Sequence, residues 1–195
     1  LIVSFCYTLF FAAPPKHPST PTPPSLIAID RKWDGDRDRH TRGYACNDWH
    51  GISPRIKGYK PKEEGEHPCY FFHLGTFQQI PGDTSSTFRD ATFYDPWLKE
   101  MASYGYCAVV ANYPDSDLTA YPSTPFKCDN KETRLQRKAK ELYDPEDADS
   151  AWSRLNSESG CNCALKTVTH GFSQGSHIAL LAANYNPHVH KALLF

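Results

Sequence analysis

The feature that most constrains the fold is the sequence GFSQG at residues 171–175, which lies between two segments of different periodicity. Residues 164–170 are predicted to form a strand, and residues 176–185 place apolar side chains on one helical face. The chain must then turn from strand to helix within one or two residues. Gly171 and Gly175 favour that turn, because a Cβ at either position would collide with the neighbouring strand or helix. Ser173 is predicted to project from the sheet edge beside free helix N–H groups.

Two continuous apolar runs before the motif, residues 69–72 and 106–111, indicate buried strands. Between them, Asp95-Pro96 predicts a helix start, with aspartate as N-cap and proline at the first helical position. Gly105 is predicted to end this helix. A strand, a helix and a second strand in this order imply parallel pairing.

The same alternation continues along the chain. Helices are predicted over 131–143 and from Asp144-Pro145 through Leu155, and strands over 26–29 and from Val189. Ile56 and Tyr59 are interpreted as an edge strand. The pattern predicts an α/β fold with a mostly parallel, doubly wound sheet and helices on both faces.

Composition fits one folded domain without a strong electrostatic field. The chain has 195 residues, 39% of them hydrophobic, and a formal net charge of -1. That charge gives no reason to expect nucleic acid or an anionic membrane as a partner. The oligomeric state stays open.

The N-terminal region is predicted to be a targeting segment followed by a linker. Residues 1–13 are almost wholly apolar but too short for a stable membrane span, which needs about 20 residues. They suit the remnant of a secretory signal peptide, with a buried strand or a translated non-coding stretch as the alternative. Residues 14–25 are proline-rich and are expected to be an extended spacer. The domain is expected over 26–195 and to be incomplete at its C-terminus, so the predicted location is extracellular.

Cysteine usage agrees with secretion but does not settle the pairing. Cys6 would leave with the signal, so six cysteines remain for disulfides. A link from Cys128 to Cys161 or Cys163 is favoured, and Cys107 is expected to be a free thiol inside a buried strand. Zinc is the competing interpretation, although the spacing lacks the pairs of a zinc ribbon, and no metal site is predicted. The six are Cys46, Cys69, Cys107, Cys128, Cys161 and Cys163.

Three strings resemble secreted α/β-hydrolases of the esterase, lipase and dienelactone-hydrolase kind: HLGTF, YGYCAVVANYP and GFSQGSHIALLAANY. The resemblance covers residues 69–195 and implies a truncated α/β-hydrolase fold. It identifies Ser173 as a nucleophile held in a nucleophile elbow. The triad order in that superfamily is serine, then aspartate or glutamate, then histidine. The resemblance therefore implies that the acid and the histidine lie beyond residue 195.

The same resemblance implies two backbone N–H donors for an oxyanion. One is Gln174, which follows the nucleophile, and the other is Thr76, with Leu74 as the alternative, since residues 73–76 resemble the superfamily's His-X-Gly turn. An ordinary glycine loop remains the competing interpretation of that turn. The candidate substrate pocket comprises His73, Leu74, Gly75 and Phe77, with His73 expected to be structural rather than a base.

Other candidate residues are weaker. His177, His188 and His190 lie too close after the serine to be its base, although His177 could line the pocket. Asp115 and Asp117 are poor candidates for the triad acid. Aromatic residues in the loops could form an acyl pocket or simply pack; they are Phe77, Phe88, Phe93 and Tyr94.

The predicted function is that of a serine hydrolase cleaving an ester or related acyl bond through an acyl-enzyme, without a cofactor. A non-catalytic secreted binding protein on the same scaffold is the alternative. A third interpretation is a coincidental motif, which would require the strand or the helix flanking it to be absent. The resemblance implies a small-molecule or lipid/ester substrate as the partner, and the identity of that substrate stays open because fold does not choose it.

Overall fold

The protein is described by a computed structural model that covers residues 25–32, 55–75, 91–111, 113 and 134–195. The segments predicted as a signal remnant (1–13) and, except for Ser25, as a proline-rich spacer (14–25) lie outside these residues. Six strands occur in the described chain: β1 (Leu26–Lys32), β2 (Arg55–Pro61), β3 (Cys69–His73), β4 (Cys107–Ala111), β5 (Thr167–Gly171) and β6 (Val189–Leu194). Four α-helices accompany them: α1 (Ala91–Ser103), α2 (Arg134–Tyr143), α3 (Ala151–Asn156) and α4 (Gln174–Leu181).

The strands form one mixed sheet in the order β1-β2-β4-β3-β5-β6. β4, β3, β5 and β6 pair in parallel, whereas β2 is antiparallel to both of its neighbours. The expectation of a mostly parallel sheet is confirmed. The expectation that Ile56 and Tyr59 mark an edge strand is wrong, because β1 pairs along β2 and takes that edge instead.

Helices cover both faces of the sheet, as predicted. One core cluster joins alternate residues of β3 and β4 to α2, α3 and α4. A second cluster joins the other residues of the same strands to α1. β3 and β4 are buried along their whole length, which is why they read as continuous apolar runs.

Helix α1 begins earlier than Asp95-Pro96 predicts. It starts at Ala91, so Pro96 lies inside the helix rather than at its first position. The Asp95 carboxylate does not act as a cap, because it accepts a hydrogen bond from the Tyr59 hydroxyl at 2.5 Å and pairs with Lys99 at 2.6 Å.

The Asp144-Pro145 helix start is also wrong. Asp144 accepts a hydrogen bond from the Glu146 N–H at 3.0 Å, which closes a local turn. Helix α3 begins at Ala151 instead, with Ser150 as N-cap accepting from the Ser153 N–H at 3.1 Å. Asp-Pro suits a turn as well as a helix start, so the sequence signal was ambiguous.

Two disulfides fasten the amino ends of β3 and β4 to the turn before β5: Cys69–Cys163 and Cys107–Cys161. The expected free thiol at Cys107 is therefore wrong, and so is the favoured link between Cys128 and either cysteine of that turn. The zinc interpretation does not fit either, because both sulfurs of the turn are in disulfides. Cys46 and Cys128 lie outside the described residues.

Candidate active site

Ser173 adopts a backbone conformation that side chains normally avoid. Its φ is 54° and its ψ is -120°, and it has the only positive φ of any non-glycine residue in the described chain. Such a conformation costs of order 1–3 kcal/mol and persists only where the surroundings impose it. Ser173 is exposed at the carboxyl end of β5, directly before α4.

The surroundings that impose this turn are two close backbone approaches. A Cβ on Gly171 would overlap the Gly175 carbonyl, and a Cβ on Gly175 would overlap the His73 carbonyl at the end of β3. The Phe172 N–H donates to that His73 carbonyl at 3.0 Å. The two glycines therefore let strand, turn and helix pack closer than any side chain allows, as the sequence predicts.

Gln174 is the first residue of α4, so the helix offers no carbonyl to its backbone N–H. The positive end of the helix dipole lies at the same place. The Gln174 side chain is buried, and its Oε1 has no hydrogen-bond partner within the described part of the chain.

The turn after β3 lies against the serine. β3 and β5 are neighbours, with His73 opposite Gly171. A Cβ built on Gly75 would come within 2.9 Å of the Ser173 Cβ and 3.1 Å of the Phe172 carbonyl oxygen. The structure thus brings Gly75 to the predicted nucleophile, whereas Thr76 and Phe77 lie outside the described residues.

His73 and Leu74 are core residues at this turn. His73 is 0% exposed, and its Nε2 is hydrogen-bonded to the buried Tyr143 hydroxyl. Burial, with a smaller contribution from the charge of His170, lowers the pKa of His73 to about 3, so its ring is neutral at pH 7. The Leu74 side chain packs in the cluster under α1.

A second buried histidine, which the sequence did not single out, precedes the serine on β5. His170 is 4% exposed, and its Nδ1 is hydrogen-bonded to the Tyr70 hydroxyl. Burial lowers the pKa of His170 to about 4. Its ring also contacts the half-exposed Trp97 of α1 and the exposed Phe195, with centroids 5.8 and 5.0 Å away.

The three histidines after Ser173 lie elsewhere. His188 stacks on Trp152, with ring centroids 5.6 Å apart, before the start of β6. His190 is exposed near the start of β6, and its Nδ1 is hydrogen-bonded to the His188 carbonyl at 2.6 Å. His177 is exposed on α4. That none of the three serves as the base stays a prediction.

Two further observations concern metal binding and membrane-spanning helices. Across the described residues, no three His, Cys, Asp or Glu side chains are grouped to hold a metal ion. None of the helices in the described ranges is both long and apolar enough to pass through a bilayer. Asp115, Asp117 and Phe88 lie outside those ranges, as does the side chain of Phe93. Tyr94 lies on α1, and its side chain is buried in the core between this helix and the sheet.

No protein-family model and no curated protein matches the sequence. Solved structures do match the fold. A protein assigned as a dienelactone hydrolase, from Klebsiella pneumoniae subsp. pneumoniae MGH 78578, aligns with a TM-score of 0.51 and 17% identity over 86% of this chain. A dienelactone hydrolase-like promiscuous phosphotriesterase from metagenomic libraries aligns with a TM-score of 0.51 and 11% identity over 87% of this chain.

The chain has the α/β-hydrolase fold. Within that fold, β5 turns at Ser173 directly into α4. The chain spans 58% and 59% of the lengths of the two solved hydrolases. The third interpretation of the sequence, a coincidental motif, is excluded because both the strand and the helix that flank it are present.

Proposed function

We propose that this protein is a serine hydrolase that cleaves an ester or related acyl bond, with Ser173 as nucleophile. The observation that carries the proposal is the strained backbone of Ser173 at the start of α4. Strain of this kind concentrates at functional sites, and serine has no structural reason to occupy a position that glycine would fill without cost. The exposure of Ser173 leaves its hydroxyl open to a substrate.

The reaction would proceed through an acyl-enzyme. The Ser173 Oγ attacks the acyl carbon while a histidine base takes its proton, and the backbone N–H groups of Gln174 and Thr76 hold the oxyanion. The tetrahedral intermediate collapses, the alcohol leaves with the proton from the histidine, and a C–O bond joins the acyl group to Ser173. Water then attacks that ester and regenerates the serine.

We propose that the histidine base and the acid follow residue 195 in a longer parent protein. His73 and His170 are buried with lowered pKa values, and His177, His188 and His190 lie on α4 or near the start of β6. The order serine, acid, histidine of this fold places both partners later in the chain. The partial span relative to the two solved hydrolases supports this reading.

The proposed substrate is a small-molecule or lipid ester. The names of the two solved structures describe hydrolysis of a lactone and of phosphotriesters, and a lactone is a cyclic ester. Gly75, Thr76 and Phe77 are proposed to line its site, whereas the side chains of His73 and Leu74 are buried in the core. We also propose that the protein works outside the cell, since two disulfides in a buried sheet suit an oxidising compartment.

The test is labelling of the full-length parent protein with a fluorophosphonate probe, which reacts with activated serines. Wild type and the control Ser103→Ala, which removes an exposed hydroxyl at the end of α1, should label alike, and Ser173→Ala should not label. A folded wild type that stays unlabelled would favour the non-catalytic binding protein. Equal labelling of Ser173→Ala would place the reactive group elsewhere.

A further inference from the structure

Tyr113 makes a contact with the β3 turn that no sequence pattern predicts. It follows β4 by two residues, is 1% exposed, and its hydroxyl donates a hydrogen bond to the Leu74 carbonyl. A buried tyrosine hydroxyl normally forms a hydrogen bond. Here its acceptor belongs to the backbone of the turn beside Ser173.

The turn is held from two sides. On the elbow side, the Phe172 N–H donates to the His73 carbonyl at 3.0 Å. On the opposite side, the Tyr113 hydroxyl bonds the next carbonyl, that of Leu74. The carbonyls of two successive residues, His73 and Leu74, are thus fixed. The peptide planes that contain these carbonyls have little freedom to rotate.

Fixing the Leu74 carbonyl also fixes the N–H that follows it. The peptide bond is planar and trans, so the Gly75 N–H points opposite to the Leu74 carbonyl. Gly75 is the residue of this turn that lies against Ser173, with 2.9 Å between its built Cβ position and the Ser173 Cβ. The direction of the Gly75 N–H, beside Ser173, therefore depends on the Tyr113 hydrogen bond.

The Tyr113 ring is itself held in place. The ammonium of Lys138, on α2, lies 5.7 Å from the ring centroid, a distance at which a cation is attracted to the ring face. The His73 ring lies 6.3 Å away on another side. A hydroxyl on a ring held by two neighbours is well suited to hold a backbone carbonyl in one orientation.

We propose that Tyr113 is a positioning residue of the hydrolase site: its hydroxyl orients the Leu74–Gly75 peptide and thereby the turn that presents the second proposed oxyanion donor. Tyr113 acts through the turn and does not touch the substrate. The inference rests on the proposed serine hydrolase function and adds a residue that no superfamily motif in this sequence names.

The test compares Tyr113→Phe with wild type in ester hydrolysis by the full-length parent protein. The variant removes one oxygen and keeps the ring. A misdirected oxyanion donor is expected to lower kcat about 10- to 100-fold and to leave KM within about threefold, because the donor acts mainly in the transition state. Replacing Tyr113 by 4-aminophenylalanine, which restores a donor, should recover most of kcat.

Tyr70→Phe is the matched control, since Tyr70 is equally buried and bonds His170 on the opposite face of the sheet. Its kcat should stay within about threefold of wild type. The inference is overturned if folded Tyr113→Phe keeps full kcat, if Tyr70→Phe loses as much, or if the amino analogue folds without recovery. A wild type with neither turnover nor labelling overturns the proposed function and this inference together, whereas an active wild type with an equally active Tyr113→Phe overturns this inference alone.

Discussion

Ser173 has a side chain where its backbone conformation favours glycine. With φ at 54° and ψ at -120°, its Cβ is held against local sterics by the packing of β5, α4 and the β3 turn. A residue that served only the fold would gain stability as glycine. The strain is therefore measurable as a difference between two variants that both lack the hydroxyl.

Ser173→Gly is expected to be more stable than Ser173→Ala by about 1 kcal/mol. Relief of the strained φ contributes of order 1–3 kcal/mol, and the greater freedom of glycine in the unfolded chain offsets part of it. The measurement is urea unfolding of both variants. Equal stability, or a more stable alanine variant, would mean that the backbone of residue 173 is not strained.

A second single residue, His170, makes the stability of the protein depend on pH because its side chain is buried. Its pKa is lowered to about 4 in the folded protein from about 6.5 in the unfolded chain. The unfolded state therefore binds more protons between these values. The stability that is present above pH 6.5 is lost as the pH falls towards 4, by about 3 kcal/mol at most.

The check on His170 is the unfolding free energy between pH 7 and pH 4 for wild type and His170→Gln. The variant should lose less stability over that range, because its amide does not titrate. The exposed His177→Gln is the control and should follow wild type. A His170→Gln profile parallel to wild type would show that this histidine is not held neutral by burial.

At the scale of elements, the disulfides and the candidate site occupy opposite ends of the sheet. Cys69 and Cys107 begin β3 and β4, whereas the β3 turn and Ser173 follow the carboxyl ends of β3 and β5. The disulfides fasten the entrance of the central strands to the turn that leads into β5. Their effect should therefore fall on stability and not on the geometry around the serine.

Cys107→Ala/Cys161→Ala is expected to lower the free energy of unfolding by about 2–5 kcal/mol. At a temperature where the variant is folded, its rate of fluorophosphonate labelling should match wild type. A reductant should then destabilise wild type more than the variant, because the variant already lacks one of the two disulfides. A slowed labelling rate in the folded variant would contradict the separation of the disulfides from the site.

The central strands and the strand–turn–helix around Ser173 could be predicted from the sequence, because their signals are local. β3 and β4 are buried on both faces, so their apolar runs mark them to within one or two residues. The starts of α1 and α3 could not be predicted, because neither aspartate caps a helix. The Asp95 carboxylate contacts a tyrosine and a lysine, and the Asp144 carboxylate accepts a hydrogen bond from a backbone amide in a turn.

Disulfide pairing and the role of Tyr113 depend on distance in space, which spacing along the chain does not encode. Cys69 and Cys163 are separated by 94 residues, and Cys107 and Cys161 by 54. Tyr113 lies in a segment rich in proline, serine and aspartate, with no periodicity to suggest that its hydroxyl reaches the Leu74 carbonyl.

At the scale of the whole molecule, the sheet order brings distant parts of the chain together at the carboxyl ends of the parallel strands. β5 lies beside β3, so the turn at Ser173 meets the turn that is proposed to supply the second oxyanion donor. Helices on both faces bury the strands and leave Ser173 exposed at the carboxyl end of β5. Substrates of open α/β sheets bind at that end, which is where the proposed chemistry needs them.

The most direct test of the proposed function is to trap the acyl-enzyme. Full-length parent protein is mixed with a p-nitrophenyl ester, quenched in acid within the first turnover, and digested for mass spectrometry. The proposal predicts the mass of the acyl group on the peptide that contains Ser173, and its absence in Ser173→Ala. Turnover of the ester with the acyl group on another residue, or with no adduct on Ser173 at any quench time while Ser173→Ala remains active, would contradict it.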